Sequence, residues 1–287
     1  MSLFDGNYKI LLIGKGKWGK TMTKLMINFG FSVFYVSRKN ERDLYFEEYI
    51  NSDKLTFFDK ENKDFHQFDI VYISVGYLQT YNVWKEFKEN SDKFLIEKPG
   101  SLNPNILSQI LFEAKLEKKY VLFNYEFYFE KNSLYLRNIL KETTEKISKI
   151  EIFWQKNINV PDGLNWRLLP HMFAELFYSI NNEIVIDQYE IKKNDAFFKG
   201  KINKNINFDI VIKNNEKLVH YSKFVMFNGD IFFKDRIFLK LKNNIICKNN
   251  ISSIENIFRL LIAGDLKLEN QNHSLALNVA NIISNLK

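Results

Sequence analysis

Residues 13 to 20 read IGKGKWGK and contain Gly14-x-Gly16-x-x-Gly19. Glycines at this spacing also arise by chance, so the reading depends on what flanks them. Upstream, KILLI (9–13) is a continuous apolar run that stops at the first glycine, as expected of a short strand buried on both faces. Downstream, Met22, Leu25, Met26 and Phe29 recur at helical spacing, and Gly30 follows where a C-terminal cap belongs. The glycines therefore join a strand to a helix. In that setting Gly14 permits the tight turn, Gly16 lets backbone approach a pyrophosphate, and Gly19 lets helix and strand pack closely. The helix N-terminus then favours the phosphate charge.

The same alternation continues outward. SVFYVS (32–37), KLTFF (54–58), DIVYISVG (69–76), KFLIEK (93–98) and YVLFNY (120–125) are strand candidates, with helical stretches near 78–90 and 103–117. The second helix opens on Asn103-Pro104, a cap residue followed by proline, and places Ile106, Leu107, Ile110, Leu111 and Ala114 on one face. Such alternation predicts a doubly wound parallel sheet, a Rossmann-type domain over residues 1–123.

A dinucleotide site should meet the adenosine ribose at the end of the second strand. That place reads Ser37-Arg38-Lys39 and holds no carboxylate for a ribose 2'-hydroxyl. Arg38 and Lys39 complement a 2'-phosphate instead, with Ser37 as a further donor, so NADP(H) is expected over NAD(H). Farther on, FLIEKPGSLNP (94–104) puts Glu97-Lys98-Pro99 at a strand's C-terminal end, where doubly wound sheets bind ligands. Pro99 also restricts the backbone of Lys98.

In order and spacing, IGKGKWGK, DIVYISVG, FLIEKPGSLNP and YVLFNYEFYFEKN together resemble the Gfo/Idh/MocA oxidoreductases, and the Trp18-Gly19 pair resembles members acting on nucleotide sugars. The resemblance implies a nicotinamide cofactor held by Gly14, Gly16, Lys17, Trp18, Gly19, Ser37, Arg38, Lys39, Ser74 and Glu97. It makes Lys98 the catalytic or substrate-orienting lysine, and it covers most of the chain, most strongly through residue 130. One departure is Gly76-Tyr77-Leu78-Gln79-Thr80, where the family carries a Thr-Pro-Asn type turn followed by His.

Another departure lies in the second half. After ISKIEIFWQK, a strand candidate near 148–156, the stretch DGLNWRLLPHMFAELFYSI places Leu169, Met172, Phe173, Leu176, Phe177 and Ile180 on one helical face. Arg167, His171, Glu175 and Tyr178 fall on a polar one. By resemblance His171 matches the family's substrate-facing His, yet the Asp expected four residues earlier is Arg167. A guanidinium has no acid or base role, though it can clamp a carboxylate or phosphate. Asn124, Tyr125, Asn165 and Arg167 are the substrate-contact candidates.

Alternating apolar segments then run from 184 to 248, broken at Asn214-Asn215, Asn228-Gly229 and Asn243-Asn244, and Asn-Gly predicts a type I' hairpin. His220, within one strand, reads as a structural or surface residue. Ser252-x-x-Glu255 is a capping box ahead of Ile254, Ile257, Phe258, Leu261 and Ile262, closed by Gly264. A last helix carries Leu275, Val279, Ile282, Ile283 and Leu286. Residues 124–287 are thus expected to form an α+β domain on an open, mostly antiparallel sheet, with the C-terminal helix able to pack back on the first domain.

Composition narrows the partners. The +7 net charge is spread among interspersed acids, a solvated surface rather than a nucleic-acid footprint. The lone Cys247 leaves no internal disulfide or cysteine-rich metal site, and the four isolated histidines suggest no metal ligand set. No apolar run nears the ~20 residues of a membrane span. The expectation is a cytoplasmic NADP(H)-dependent oxidoreductase acting on a sugar or nucleotide-linked sugar, as a homodimer or homotetramer. The alternatives are a catalytically silent dinucleotide-binding sensor or scaffold, for which Arg167 argues, and an imine reductase on the same fold.

Overall fold

Six parallel strands form the first sheet. In chain order, β1 (Lys9–Ile13) leads to α1 (Lys17–Asn28), followed by β2 (Ser32–Ser37), β3 (Leu55–Asp59) and β4 (Ile70–Ile73). Next come α2 (Thr80–Phe87), β5 (Lys93–Glu97), α3 (Pro104–Leu116) and β6 (Tyr120–Asn124). The sheet order is β3-β2-β1-β4-β5-β6, so the winding reverses between β1 and β4. The computed structural model describes residues 4, 6–14, 16–37, 53–59, 67–143, 146–157, 165–179, 184–192 and 195–286.

Local sequence explains these elements. Buried β1 and β4 carry almost nothing but aliphatic residues, as strands covered on both faces must. At the end of α1, Gly30 takes φ +96° while its N–H bonds Ile27 O and that of Phe31 bonds Met26 O, both at 2.9–3.0 Å. That is a Schellman cap, the positive φ being the reason for glycine. Asn103 caps α3 by accepting from the Asn105 N–H at 3.0 Å, with Pro104 in the first turn. Helix α2 starts at Thr80 rather than at 78, because Gly76 to Gln79 is a turn closed by the Gln79 N–H on Gly76 O.

The second sheet follows α4 (Lys131–Thr143). Its strands are β7 (Ile147–Lys156), then, after α5 (Asn165–Ser179), β8 (Ile184–Ile191), β9 (Ala196–Ile202), β10 (Ile206–Asn214), β11 (Val219–Met226), β12 (Ile231–Asp235), β13 (Phe238–Leu241) and β14 (Asn244–Lys248). The order is β14-β13-β12-β11-β7-β10-β9-β8, antiparallel except for β7 against β10. One face is buried through Ile150, Ile152, Trp154, Phe208, Ile210, Ile212 and Phe224. The other carries Phe153, Tyr221 and Phe233 in a stacked row, beside a Lys223–Glu151–Lys149–Asp209 ladder of charges.

Turn chemistry in this sheet departs from expectation. The Asn228-Gly229 hairpin exists, but Gly229 alone takes positive φ, and Met226 pairs with Asp230 across three residues instead of two. The type I' signature of two successive positive φ angles falls at Asn203-Lys204, between β9 and β10.

The last helices are α6 (Ser253–Ala263) and α7 (Leu266–Ser284). The Ser252 hydroxyl accepts the Glu255 N–H at 3.0 Å, half of the expected capping box, and Gly264 ends α6 at φ +71°. By contacts the chain divides into Met1–Asn124 with Phe258–Lys287, and Tyr125–Ile257. Within the first unit α7 closes the open edge of β6. Glu269 accepts the Val121 N–H, Asn272 both accepts from and donates to Phe123 backbone, and His273 bonds Val121 O, all at 2.7–3.0 Å. Side chains three and four apart on a helix stand in for a seventh strand and remove an exposed edge. Among the described residues no helix is long and apolar enough to cross a membrane.

Candidate functional site

In the first unit, the glycine turn, Ser74, Glu97 and Asn124 all lie at the C-terminal ends of β1, β4, β5 and β6, with Ser37 at the same end of β2. The three glycines differ in what requires them. At Gly14, φ is +134° and an added Cβ would stand 2.0 Å from Ser74 O; at Gly19 it would stand 2.2 Å from Gly14 O. Protein packing therefore demands both. Gly16 has an ordinary φ of −73°, and a Cβ there would meet nothing within 4 Å among the described residues. Neither strain nor packing against the described residues calls for glycine at this position. What the missing side chain leaves is clear space at the N-cap of α1, a helix start with no side-chain cap and no acidic residue in its first turn. The Lys17 side chain is exposed there. A phosphate-bearing ligand fits that arrangement.

Beside the turn, one carboxylate oxygen gathers three donors. Glu97 Oε1 accepts from Trp18 Nε1 at 2.6 Å, from Asn124 Nδ2 at 2.5 Å and from the Tyr72 hydroxyl. Trp18 Nε1 is also 3.0 Å from Tyr72 Oη. Burial pushes the Glu97 carboxyl above its usual range, opposed by the Tyr72 and Asn124 hydrogen bonds, the Lys98 charge and the Trp18 indole. Burial, joined by the neighbouring Glu97 charge, pushes the Tyr72 phenol well up. Lys98 follows at the corner of a turn in which the Gly100 N–H bonds Glu97 O at 2.8 Å, and the Lys98–Pro99 bond is cis. Tyr72 was not singled out from the sequence. Its signal is a phenol within an otherwise aliphatic buried strand, which must find a polar partner.

The second unit holds His171 and Tyr125. Helix α5 is buried all round from 168 to 177, so the expected polar stripe does not face solvent at His171 or Glu175. The His171 ring lies 4.9 Å from that of Phe127 and 5.5 Å from that of Trp154. Together with Tyr125, Tyr128, Ala174 and Glu175 it lines a hollow with room for about one water. Both Glu175 oxygens have partners: Oε2 lies 3.0 Å from His220 Nε2, and Oε1 accepts from Ser222 Oγ at 2.9 Å and Lys234 Nζ at 3.1 Å. Lys234, only 2% exposed, also lies 3.2 Å from Glu130 Oε2. His220 is thus a buried, structurally bonded histidine.

The structure brings Trp18, Glu97 and Asn124 together, sets Ser74 against Gly14, and puts Tyr125 and His171 on one hollow. Arg38 and Lys39 lie outside the described residues, as do the side chains of Ser37, Asn165 and Arg167.

The fold defined by these two sheets is that of the Gfo/Idh/MocA-type dehydrogenases. No family model matches the chain, and no curated protein matches it by sequence. Solved structures do. An oxidoreductase from Thermotoga maritima is similar at a TM-score of 0.79 with 10% identity, over 97% of this chain and 95% of that one. The UDP-N-acetylglucosamine 3-dehydrogenase of Acidithiobacillus ferrooxidans is similar at 0.74 with 12% identity, over 98% and 97%. A myo-inositol dehydrogenase from Corynebacterium glutamicum is similar at 0.70 with 12% identity, over 96% and 95%.

Proposed function

We propose that this protein is an NADP(H)-dependent oxidoreductase acting on the carbinol or carbonyl carbon of a sugar or nucleotide-linked sugar. The observation that carries the reading is Gly16, a glycine required by neither strain nor packing, at an uncapped helix start on the ligand-binding edge of a doubly wound sheet. The structural neighbours named for dehydrogenation of a UDP-sugar and of myo-inositol support the chemistry and the substrate class.

The nicotinamide cofactor supplies hydride transfer when bound. Gly14, Gly16, Lys17, Trp18, Gly19 and Ser74 would hold it, with Ser37, Arg38 and Lys39 selecting the 2'-phosphate and Glu97 serving the nicotinamide side. Lys98 would hydrogen-bond the reacting oxygen and stabilise its developing charge. His171 would give or take the proton, an imidazole being suited to that at neutral pH. Asn124, Tyr125, Asn165 and Arg167 would contact the substrate.

The test is a titration with NADPH and with NADH, followed by NADPH oxidation across a panel of keto-sugars and cyclic imines. NADPH should bind more tightly, and Arg38→Ala should erase that preference by tenfold or more, about the loss of one charge-assisted hydrogen bond. Equal loss for both cofactors would remove the NADP(H) assignment. Binding without turnover on any substrate would favour the second reading, a silent dinucleotide-binding sensor or scaffold, which Arg167 at the family's Asp position supports.

A further inference from the structure

The second unit buries two carboxylates, one ammonium and one imidazole in a single hydrogen-bonded cluster: Glu130, Glu175, Lys234 and His220. Charge counting makes this cluster unusual. With both carboxylates ionised, Lys234 charged and His220 neutral, it carries one net negative charge away from water. One added proton, on His220 or on Glu130, makes it neutral. Burying a net charge is costly, so the cluster has two accessible states that differ by one proton. Among the described residues His220 Nδ1 is buried with no hydrogen-bond partner, so the ring can take up a proton there. Glu175 lines, with His171, the hollow that fits about one water, and the hydroxyl of Tyr125, another lining residue, is buried without a partner among the described residues.

We propose that Glu130, Glu175, Lys234 and His220 form a buried one-proton store coupled to His171 through a water in the hollow lined by Tyr125, His171 and Glu175. This rests on the proposed role of His171 in proton transfer. In the reducing direction His171 gives its proton to the substrate oxygen and regains one from the store, which passes from neutral to singly negative. In the oxidising direction the proton runs from the substrate hydroxyl through His171 back to the store. The hydride is the nicotinamide cofactor's, and between turnovers the store exchanges its one proton with water. Glu175 is a positioning residue in this scheme: it touches the hollow on one side and His220, Ser222 and Lys234 on the other.

Among the described residues, two further charged or titratable groups lie near these imidazoles. They are Tyr128, whose hydroxyl accepts from Arg137 at 2.5 Å, and Arg236, whose guanidinium lies 5.3 Å from the Phe127 ring centre. The directions of the carboxyl shifts agree with a shared proton. Burial raises Glu130, with Lys234 and His220 opposing only in part. At Glu175 the Lys234 charge and the hydrogen bonds from His220 and Ser222 overcome burial and hold the carboxyl below its usual range.

The experiment is an NMR titration of the imidazole carbons in the ligand-free, full-length protein, assigned by His171→Asn and His220→Asn. Glu130→Gln removes an anion that touches Lys234 and should lower the midpoints of both His220 and His171 by a pH unit or more, a tenfold change in proton affinity. Lys234→Met should raise both. A His171 midpoint that stays put in both variants overturns the store, whether or not His220 moves. Should these variants fail to fold, the unaltered protein decides: a shared two-step titration of His171 and His220 supports the store, and two independent single-step curves overturn it. NADPH binding and turnover are read separately, so a failed oxidoreductase reading and a failed store give different results.

Discussion

Glu97 and Glu175 are the same residue type in two surroundings, and their carboxyls move in opposite directions. Glu97 sits at the sheet edge of the first unit among three neutral donors, with Lys98 as the nearby cation, and burial prevails to raise it. Glu175 lies inside the second unit against Lys234 and His220, where the ammonium charge and the His220 and Ser222 hydrogen bonds outweigh burial and hold it low. Neutral hydrogen bonds orient a carboxylate, whereas a buried ammonium fixes its charge. The first arrangement suits a group that meets a ligand, and the second suits one that keeps an interior electrically balanced.

The largest expected effect separates the two regions by what is lost. Lys98→Ala should lower turnover about 10²- to 10⁴-fold while leaving NADPH affinity and unfolding midpoint nearly unchanged, as read by steady-state kinetics and urea denaturation. Retained turnover would end the role proposed for Lys98. In the second unit, Lys234→Ala should cost about 3–5 kcal/mol, because two buried carboxylates lose their cation. A loss below about 1 kcal/mol would mean that the cluster is already neutralised some other way.

A neutral buried network gives the intermediate case. Asn272→Ala leaves the Phe123 N–H and C=O without their α7 partner and should cost about 1–3 kcal/mol in urea unfolding. An unchanged midpoint would show that α7 does not hold the β6 edge.

The smallest effect compares the two carboxylates directly, as stability against pH. The folded value of Glu175 lies below its unfolded one, so its contribution is present above the ordinary carboxylate range and fades as pH falls through the folded value. The folded value of Glu97 lies above its unfolded one, so stability declines as pH rises from the ordinary range through the folded value. Glu97→Gln should therefore flatten that decline without touching the acid limb set by Glu175. Loss of the acid limb in Glu97→Gln would contradict the separation.

What the chain reveals on reading follows the range of the forces involved. The six parallel strands, the Schellman glycine and the Asn103 cap depend on residues a few positions apart, and all were legible. So was the antiparallel character of the second sheet, from its period of two. Tyr72 was not, because its partner lies 25 residues away on another strand. Nor was the Glu175 cluster, whose members come from α5, β11, β12 and the segment before α4. A helix read from periodicity gives His171 and Glu175 one face, but whether that face meets water or a buried lysine depends on strands 45 to 59 residues later. The Asn228-Gly229 turn shows the same limit at short range: the dipeptide marks the hairpin, while loop closure sets which residues take positive φ.

Gly16 carries the central claim, since fold and function make different demands on it. Gly16→Ala places a methyl group in space that no described residue fills, at a φ any residue adopts, so the gain in chain rigidity and the loss of a favoured N-cap residue should leave stability within about 1 kcal/mol. The decisive measurement is an NADPH titration of wild type and Gly16→Ala, followed by the cofactor's own fluorescence. Saturable binding to the wild type, weakened tenfold or more in a fully folded Gly16→Ala, is the predicted result; no saturable binding to the wild type, or equal affinity in both, would contradict it.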